Sequence, residues 1–298
     1  LYFPEYFRGM AYTPVFSSVY HWERFVQQFF GLSVPAQPRP RPIFMVSTGR
    51  TGTQFFGRAF NALPGIMATH EPRPDFLDLA MRYARGQCST HQAEQTLRQK
   101  RGALLREAQR QHCTHYLESN NRFFALLAPL RRVFPEALLV HVVRDGREYV
   151  RSGMSRPWYT EQDQELRRGR RLRALDFPDD PWHQAWNTLS RFEKICWRWQ
   201  KKDNLIARAL DEDPLAITIR FETLFDHSQE AGFRRLWDFL GLPPNVDPAP
   251  LEAARSAPAN ATAQYTFPAW PEWPAEQKRQ FDRIAGPQMQ RYWGGNYW

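Results

Sequence analysis

Short, almost wholly apolar runs alternate along the chain with longer stretches in which apolar residues recur every three or four positions. Pro42–Ser47 (Pro-Ile-Phe-Met-Val-Ser) is one such run and ends in a glycine-bearing turn, the pattern of a strand buried on both faces. From Thr53 the period changes, and Phe55, Phe56, Ala59, Phe60 and Leu63 fall along one helical face. A Gly-Ile-Met-Ala-Thr run at 65–69, Tyr116–Glu118, Leu138–Val143 and Leu215–Arg220 are further strand candidates. Helical spacing covers Asp75–Arg85, His91–Gln111, Arg147–Met154, Trp182–Leu210, Glu230–Leu240 and about Ala275–Trp293. Strands separated by helices require right-handed crossovers. The fold class predicted is therefore α/β: a P-loop-like, mostly parallel sheet flanked by helices on both faces, in a single domain.

Two segments fall outside that alternation. Residues 34–42 (Val-Pro-Ala-Gln-Pro-Arg-Pro-Arg-Pro) form an extended connector, which divides an aromatic N-terminal arm with its Pro-rich connector, 1–41, from a domain at 42–298. The arm could touch a membrane surface or partner through residues 1–30, or pack on its own domain. The uncharged stretch near its start, Gly9–Tyr20, has 12 residues, short of the roughly 20 that a spanning helix needs, so no transmembrane segment is expected. The second is a Pro-rich excursion over 243–274, of the length that tends to carry function or mobility.

Composition sharpens this picture in one respect. The 298 residues carry 40 basic and 31 acidic side chains, and only Lys100, Lys194, Lys201, Lys202 and Lys278 are lysines. An arginine-dominated excess suits planar anions such as phosphate, sulfate and carboxylate, although codon bias would leave the same trace. Three widely spaced cysteines offer neither a disulfide framework nor a zinc site and point to a reducing, cytoplasmic location.

The first strand–helix turn reads Ser47-Thr48-Gly49-Arg50-Thr51-Gly52-Thr53-Gln54. Its glycines let backbone N–H groups converge, and the helix that follows presents its positive end there. Thr51 and Thr53 add hydroxyls and Arg50 a permanent charge, so the turn reads as an anion cradle, or else as a purely structural connection. Set against the nucleoside-triphosphatase pattern Gly-x-x-x-x-Gly-Lys-[Ser/Thr], Ser47, Thr53 and Gln54 occupy the other three defined positions, and all three differ from it. That argues against an ordinary ATPase or GTPase.

A second turn follows Leu138–Val143: Arg144-Asp145-Gly146-Arg147, with Ser152 eight and Arg156 twelve residues after Arg144. On a helix both would fall near one face, about a turn apart. Arg144 leaves the carboxyl end of a strand, where open α/β sheets bind ligands. Arg144, Ser152 and Arg156 could hold a second phosphate; a local Arg144–Asp145 ion pair is the plainer reading.

Taken together, Ser47–Gln54 resembles the 5′-phosphosulfate loop of sulfotransferases that use 3′-phosphoadenosine 5′-phosphosulfate (PAPS), and Arg144…Ser152 resembles their 3′-phosphate motif. Arg-Asp-Gly-Arg followed by Ser152 and Arg156 is most similar to the protein-tyrosine sulfotransferase branch. Arg220-Phe221-Glu222-Thr223-Leu224 resembles the family's Tyr-Glu-x-Leu segment, and Leu236–Pro243 its Phe-Leu-Gly-Leu-Pro signature. The likeness spans about residues 42–295.

The resemblance implies sulfuryl transfer from PAPS to a hydroxyl or amine, leaving adenosine 3′,5′-bisphosphate (PAP), with no metal required. Thr48, Gly49, Arg50, Thr51, Gly52, Thr53 and Gln54 would hold one end of the nucleotide, and Arg144, Ser152 and Arg156 the other. Arg50 would stabilise charge on the leaving phosphate. Glu71, in His70-Glu71-Pro72-Arg73, matches the branch's glutamate base with an arginine two residues on; a plain Glu71–Arg73 salt bridge would look the same, and His70 is the alternative base. One position departs: a lysine expected after the Tyr-Leu strand falls at or near Asn120, leaving Arg50 alone or Arg122 to replace it. Glu165–Arg173 is the densest basic stretch, either a mobile lid or clamp for an anionic acceptor or a solvated helix face. Trp197 and Trp199 either stack on adenine or pack the core. The acceptor stays open among small molecules, glycans and peptides. A nucleotide-dependent small-molecule kinase is the competing enzyme class, and a basic nucleic-acid-binding protein the third; for the latter no helix-turn-helix, ribonucleoprotein or zinc-finger pattern is present.

Overall fold

The computed structural model describes residues 38–225, 230–242 and 265–296, nearly all within one compact unit, Arg39–Trp298. The aromatic arm and most of the Pro-rich excursion lie outside the described residues. In chain order the elements are β1 (Arg41–Val46), α1 (Thr53–Asn61), β2 (Ile66–His70), α2 (Leu77–Ala84), α3 (Thr90–Arg110) and β3 (His115–Ser119). Then come α4 (Leu127–Val133), β4 (Leu138–Val143), α5 (Gly146–Met154), the one-turn α6 (Gln164–Arg167) and α7 (Arg191–Leu210). The last are β5 (Ala216–Arg220), α8 (Phe221–Phe225), α9 (Glu230–Leu240) and α10 (Ala275–Trp293).

The five strands form one sheet in the order β2-β3-β1-β4-β5, and every pairing is parallel. Side chains alternate across it as the pleat demands. Ile43 and Met45 join Phe55, Phe56 and Phe60 of α1 and Leu236 and Leu240 of α9 in one core. Phe44 and Val46 face the other, with Leu97 of α3, Trp197 and Trp199 of α7 and Phe281 of α10. Both layers are apolar, which is why the strands read as unbroken hydrophobic runs. After β1 the chain crosses toward β2; after β4 it crosses toward β5, on the opposite side. The adjacent β1 and β4 thus flank a topological switch point, and a crevice opens at their carboxyl ends.

Local chemistry sets the helix boundaries. Ser89 with Gln92 and Ser190 with Glu193 form reciprocal capping boxes that start α3 and α7. The second box explains why α7 begins at Arg191 rather than Trp182: Asp180 takes the Trp182 N–H at 3.0 Å and turns the chain before Ser190 nucleates the helix. Asn120 accepts the Arg122 N–H at 2.9 Å and opens a 3₁₀ turn, Asn121–Ala125, that leads into α4; neither was apparent from the apolar period. Trp197 and Trp199 are core residues, fully buried, with their indoles bonded to Asp180 and to the Arg144 carbonyl. Gly146 makes that packing possible, since a β-carbon there would lie 2.8 Å from the Trp199 ring. No described helix is long and apolar enough to cross a membrane.

Candidate functional site

The turn after β1 is shaped by its own hydroxyls and by left-handed backbone. Ser47 Oγ accepts the Gly49 N–H at 3.1 Å and the Thr51 hydroxyl at 2.7 Å. Gly49, Arg50 and Gly52 all have positive φ (98°, 64° and 65°). For the two glycines this is unstrained; for Arg50 it costs about 1–3 kcal/mol. Gly52 caps α1, so the amides of Thr53 and Gln54 belong to the first turn, where N–H groups lack helical acceptors and the helix dipole is positive. Thr48 Oγ1 is buried with no hydrogen-bond partner.

The turn after β4 meets it. Arg50 Nε donates to Ser152 Oγ at 2.9 Å, and Arg144 Nη1 donates to the Arg50 carbonyl at 2.6 Å while lying over the Phe221 ring. Burial, then the charges of Arg156 and Arg144, hold the Arg50 guanidinium below the usual arginine range. Arg50 thus contacts a fully buried serine with the charges of Arg144 and Arg156 close by, and Arg156 Nε is itself buried without a hydrogen-bond partner. Arg144 also pairs with Glu148 at 3.6 Å, and the grouped guanidiniums have the geometry that suits an anion. Arg156 reaches this point from a turn: α5 ends at Met154, so Arg156 does not share its helical face with Ser152. Asp145 pairs with Arg147 at 2.6 Å, not with Arg144, and its N–H is held by Glu222 at 2.9 Å. Burial raises the Glu222 carboxyl above the usual carboxylate range, and the Phe-Glu-x-Leu stretch thereby braces the second turn.

Glu71 sits just past β2, its N–H bonded to the Ser119 carbonyl at 3.2 Å. Arg122 Nε reaches one carboxylate oxygen at 3.1 Å and Asn121 Nδ2 bonds the other. No ion pair joins Glu71 to the exposed Arg73. His70 has Nδ1 against the Ser119 carbonyl at 3.1 Å, which leaves Nε2 as its available nitrogen. Asn121 stands between Glu71 and the first turn, its Cγ 3.7 Å from where a Gly49 β-carbon would lie. Asn120 faces away: its side chain is buried against Glu118 Oε1 at 2.8 Å.

A lysine from elsewhere, Lys202, lies against the first turn. It comes from α7, is 3% exposed, and donates to the Thr48 carbonyl at 2.9 Å and the Asn121 carbonyl at 3.1 Å. Burial, with Arg198 and Arg122 close by, holds its ammonium well below the usual lysine range. The motifs gave no hint of it; the available signal was its scarcity, one of five lysines in an arginine-rich chain. Among the described residues, no group of three or more His, Cys, Asp or Glu could hold a metal ion.

A family model described as the sulfotransferase family matches residues 42–248, a span that holds both turns, Glu71 and Lys202. The chain belongs to the sulfotransferase family. Among solved structures, this sulfotransferase is similar to the sulfotransferase domain from the curacin biosynthetic pathway (15% identity, TM-score 0.44, covering 83% of this chain and 98% of that one). It is also similar to the sulfotransferase STF9 from Mycobacterium avium (13% identity, TM-score 0.45, covering 90% and 80%). No curated protein matches the chain.

Proposed function

We propose that the protein moves a sulfuryl group from PAPS to a hydroxyl or amine of an acceptor, with Glu71 as general base. The observation that carries this is the Arg50–Ser152 contact at 2.9 Å, which joins the two anion-binding turns across the crevice between β1 and β4. A nucleotide with phosphates at both ends fits such a pair of sites better than one with a single phosphate chain. The amides and hydroxyls of Thr48–Gln54 would hold the 5′ end, and Arg144, Ser152 and Arg156 the 3′-phosphate. The three free thiols suit a reducing, cytoplasmic setting.

When bound, PAPS supplies the sulfuryl group and a good leaving group; the chain's task is positioning and charge. Arg50 and the turn's amides are fixed before reaction and would face the negative charge that grows on the departing side, the arrangement in which preorganised dipoles are most effective; Lys202 braces that turn through the Thr48 carbonyl. Asn121 and Arg122 hold both oxygens of Glu71, leaving one lone pair on each to take the acceptor's proton.

Titration calorimetry with PAP and adenosine 5′-phosphate tests the reading. A charge-assisted hydrogen bond contributes about 1.5–3 kcal/mol, so PAP should bind about 10–150-fold more tightly. Arg144→Ala should remove most of that advantage while changing adenosine 5′-phosphate affinity little. Equal affinity for the two nucleotides in the unaltered protein would refute the two-site reading.

A further inference from the structure

Beside Glu71, on the face of the first turn that Lys202 supports, lies a cavity of about 80 Å³ whose walls include Arg122, Arg170, Arg198 and Lys202. That is several times the roughly 10–15 Å³ one water requires; it would accept a carboxylate, sulfate or phosphate group and not a nucleoside. Glu165 is the only carboxylate among the lining residues, against four cations.

Two of those cations form no ion pair with any described residue. Lys202 bonds only to carbonyls and lies 4.7 Å from the Phe124 ring centre. Arg198 donates to the Tyr149 hydroxyl and stacks 4.5 Å from the Trp158 ring centre. Aromatic faces and carbonyls soften the cost of burying these charges without cancelling them. The other two are paired: Arg170 with Asp78 at 2.8 Å and Asp75 at 3.7 Å, and Arg122 with Glu71 at 3.1 Å, Asp75 at 3.6 Å and, within the cavity wall, Glu165 at 3.7 Å, so the unpaired charge of the cavity rests on Arg198 and Lys202.

The walls are built, not draped. Glu165–Arg173 divides in two: Arg167 and Arg168 are exposed, whereas Arg171 is 4% exposed and pairs with Asp163 and, at 3.2 Å, with Glu165, and Leu172 is buried. This pins Arg170 and Glu165 over the cavity. Asn121 and Arg122, which grip Glu71, are also wall residues, so a group seated here lies next to the candidate base.

We infer that this cavity seats an anionic group carried by the acceptor itself, so that the preferred acceptor is a hydroxyl compound bearing a carboxylate, sulfate or phosphate. The inference rests on the sulfotransferase reading above, because it takes the nucleotide's two phosphates to occupy the other two sites. It also gives the basic 165–173 stretch a role, since Glu165, Arg170 and Leu172 line the cavity.

Two measurements test it. With PAP saturating, inorganic sulfate should raise the melting temperature of the protein further than chloride at equal ionic strength. The rise should be lost in Arg198→Met and reduced in the partly exposed Arg170→Gln, with retained PAP affinity reporting intact folding. Matched acceptor pairs, 4-hydroxyphenylacetate with 4-methylphenol and glucuronate with glucose, are then offered with labelled PAPS. The anionic member should be favoured at least tenfold in kcat/KM, and Arg198→Met should abolish the preference. Sulfate stabilisation that survives both variants, no sulfate stabilisation, or equal use of neutral acceptors would overturn the inference. Failure of PAP to bind would instead overturn the cofactor reading, and sulfate stabilisation measured without PAP would still decide the cavity.

Discussion

Arg101 is the residue whose removal tests most directly how the candidate base is held. It projects from α3 into the interior with no exposed surface. Its Nε lies 2.5 Å from Glu118 Oε2 and its Nη2 lies 2.8 Å from Oε1. The same Nη2 donates to the Pro74 carbonyl at 2.9 Å and the Pro72 carbonyl at 3.3 Å, and the guanidinium lies 4.1 Å from the Phe76 ring centre. One cation therefore ties β3 and α3 to the 72–76 segment that follows Glu71. Methionine would keep the carbon stem over Phe76 and lose every polar contact. Removing one partner of a buried pair costs about 3–5 kcal/mol, a large part of the roughly 5–15 kcal/mol by which a domain is stable. With a urea m-value of about 3 kcal/mol/M, a loss of about 4 kcal/mol lowers the unfolding midpoint by about 1.3 M. The deficit should depend on pH. Burial already lifts Glu118 above the usual carboxylate range, and without Arg101 it lifts it further. The folded variant then holds a proton that the unfolded chain releases, so its stability is greatest at low pH and falls as pH rises through the raised value. The gap from the unaltered protein should therefore shrink between pH 8 and pH 5. Adding Glu118→Gln should recover part of the loss, because the charge left alone is gone. A midpoint within about 0.3 M of the parent, or strictly additive losses in the double variant, would refute this account.

Two further outcomes follow from the site. Glu71→Gln should lower turnover at least about a hundredfold while leaving PAP affinity unchanged by calorimetry; undiminished turnover would move the base to His70 or elsewhere. Lys202 is held well below the usual lysine range by burial and by Arg198 and Arg122, and a bound phosphate at the neighbouring turn favours its charged form. PAP binding should therefore take up protons at a pH below the ordinary lysine range, read across a pH series from calorimetry in buffers of different ionisation enthalpy, and the uptake should be lost in Lys202→Met. The same lowered value means that the unfolded chain binds the extra proton, so Lys202 makes stability rise with pH up to the ordinary lysine range of about 10.4.

Much of the architecture was legible because its causes are local. The apolar run 42–47, the change of period at Thr53 and the glycines at 49 and 52 specify strand, turn and helix from side-chain spacing and backbone freedom alone, and Leu138–Val143 was placed to the residue. The resemblance of two turns to sulfotransferase motifs named the family that the matched span of 42–248 established. Packing decided what the chain does with its charges. Arg50 reaches Ser152 across 102 positions, Arg122 takes Glu71 from Arg73 across 51, and Lys202 supports the Thr48 carbonyl across 154. No periodicity encodes such pairs: an arginine that bonds a carboxylate and one that faces solvent read alike until the sheet order sets their distance. The sequence thus determined the five strands, most of the helices and the glycine-bearing turn that follows β1. Only the tertiary structure decided which cations the two turns share and which are left to line a cavity, because Coulomb energy and burial depend on separation in space and not on separation along the chain.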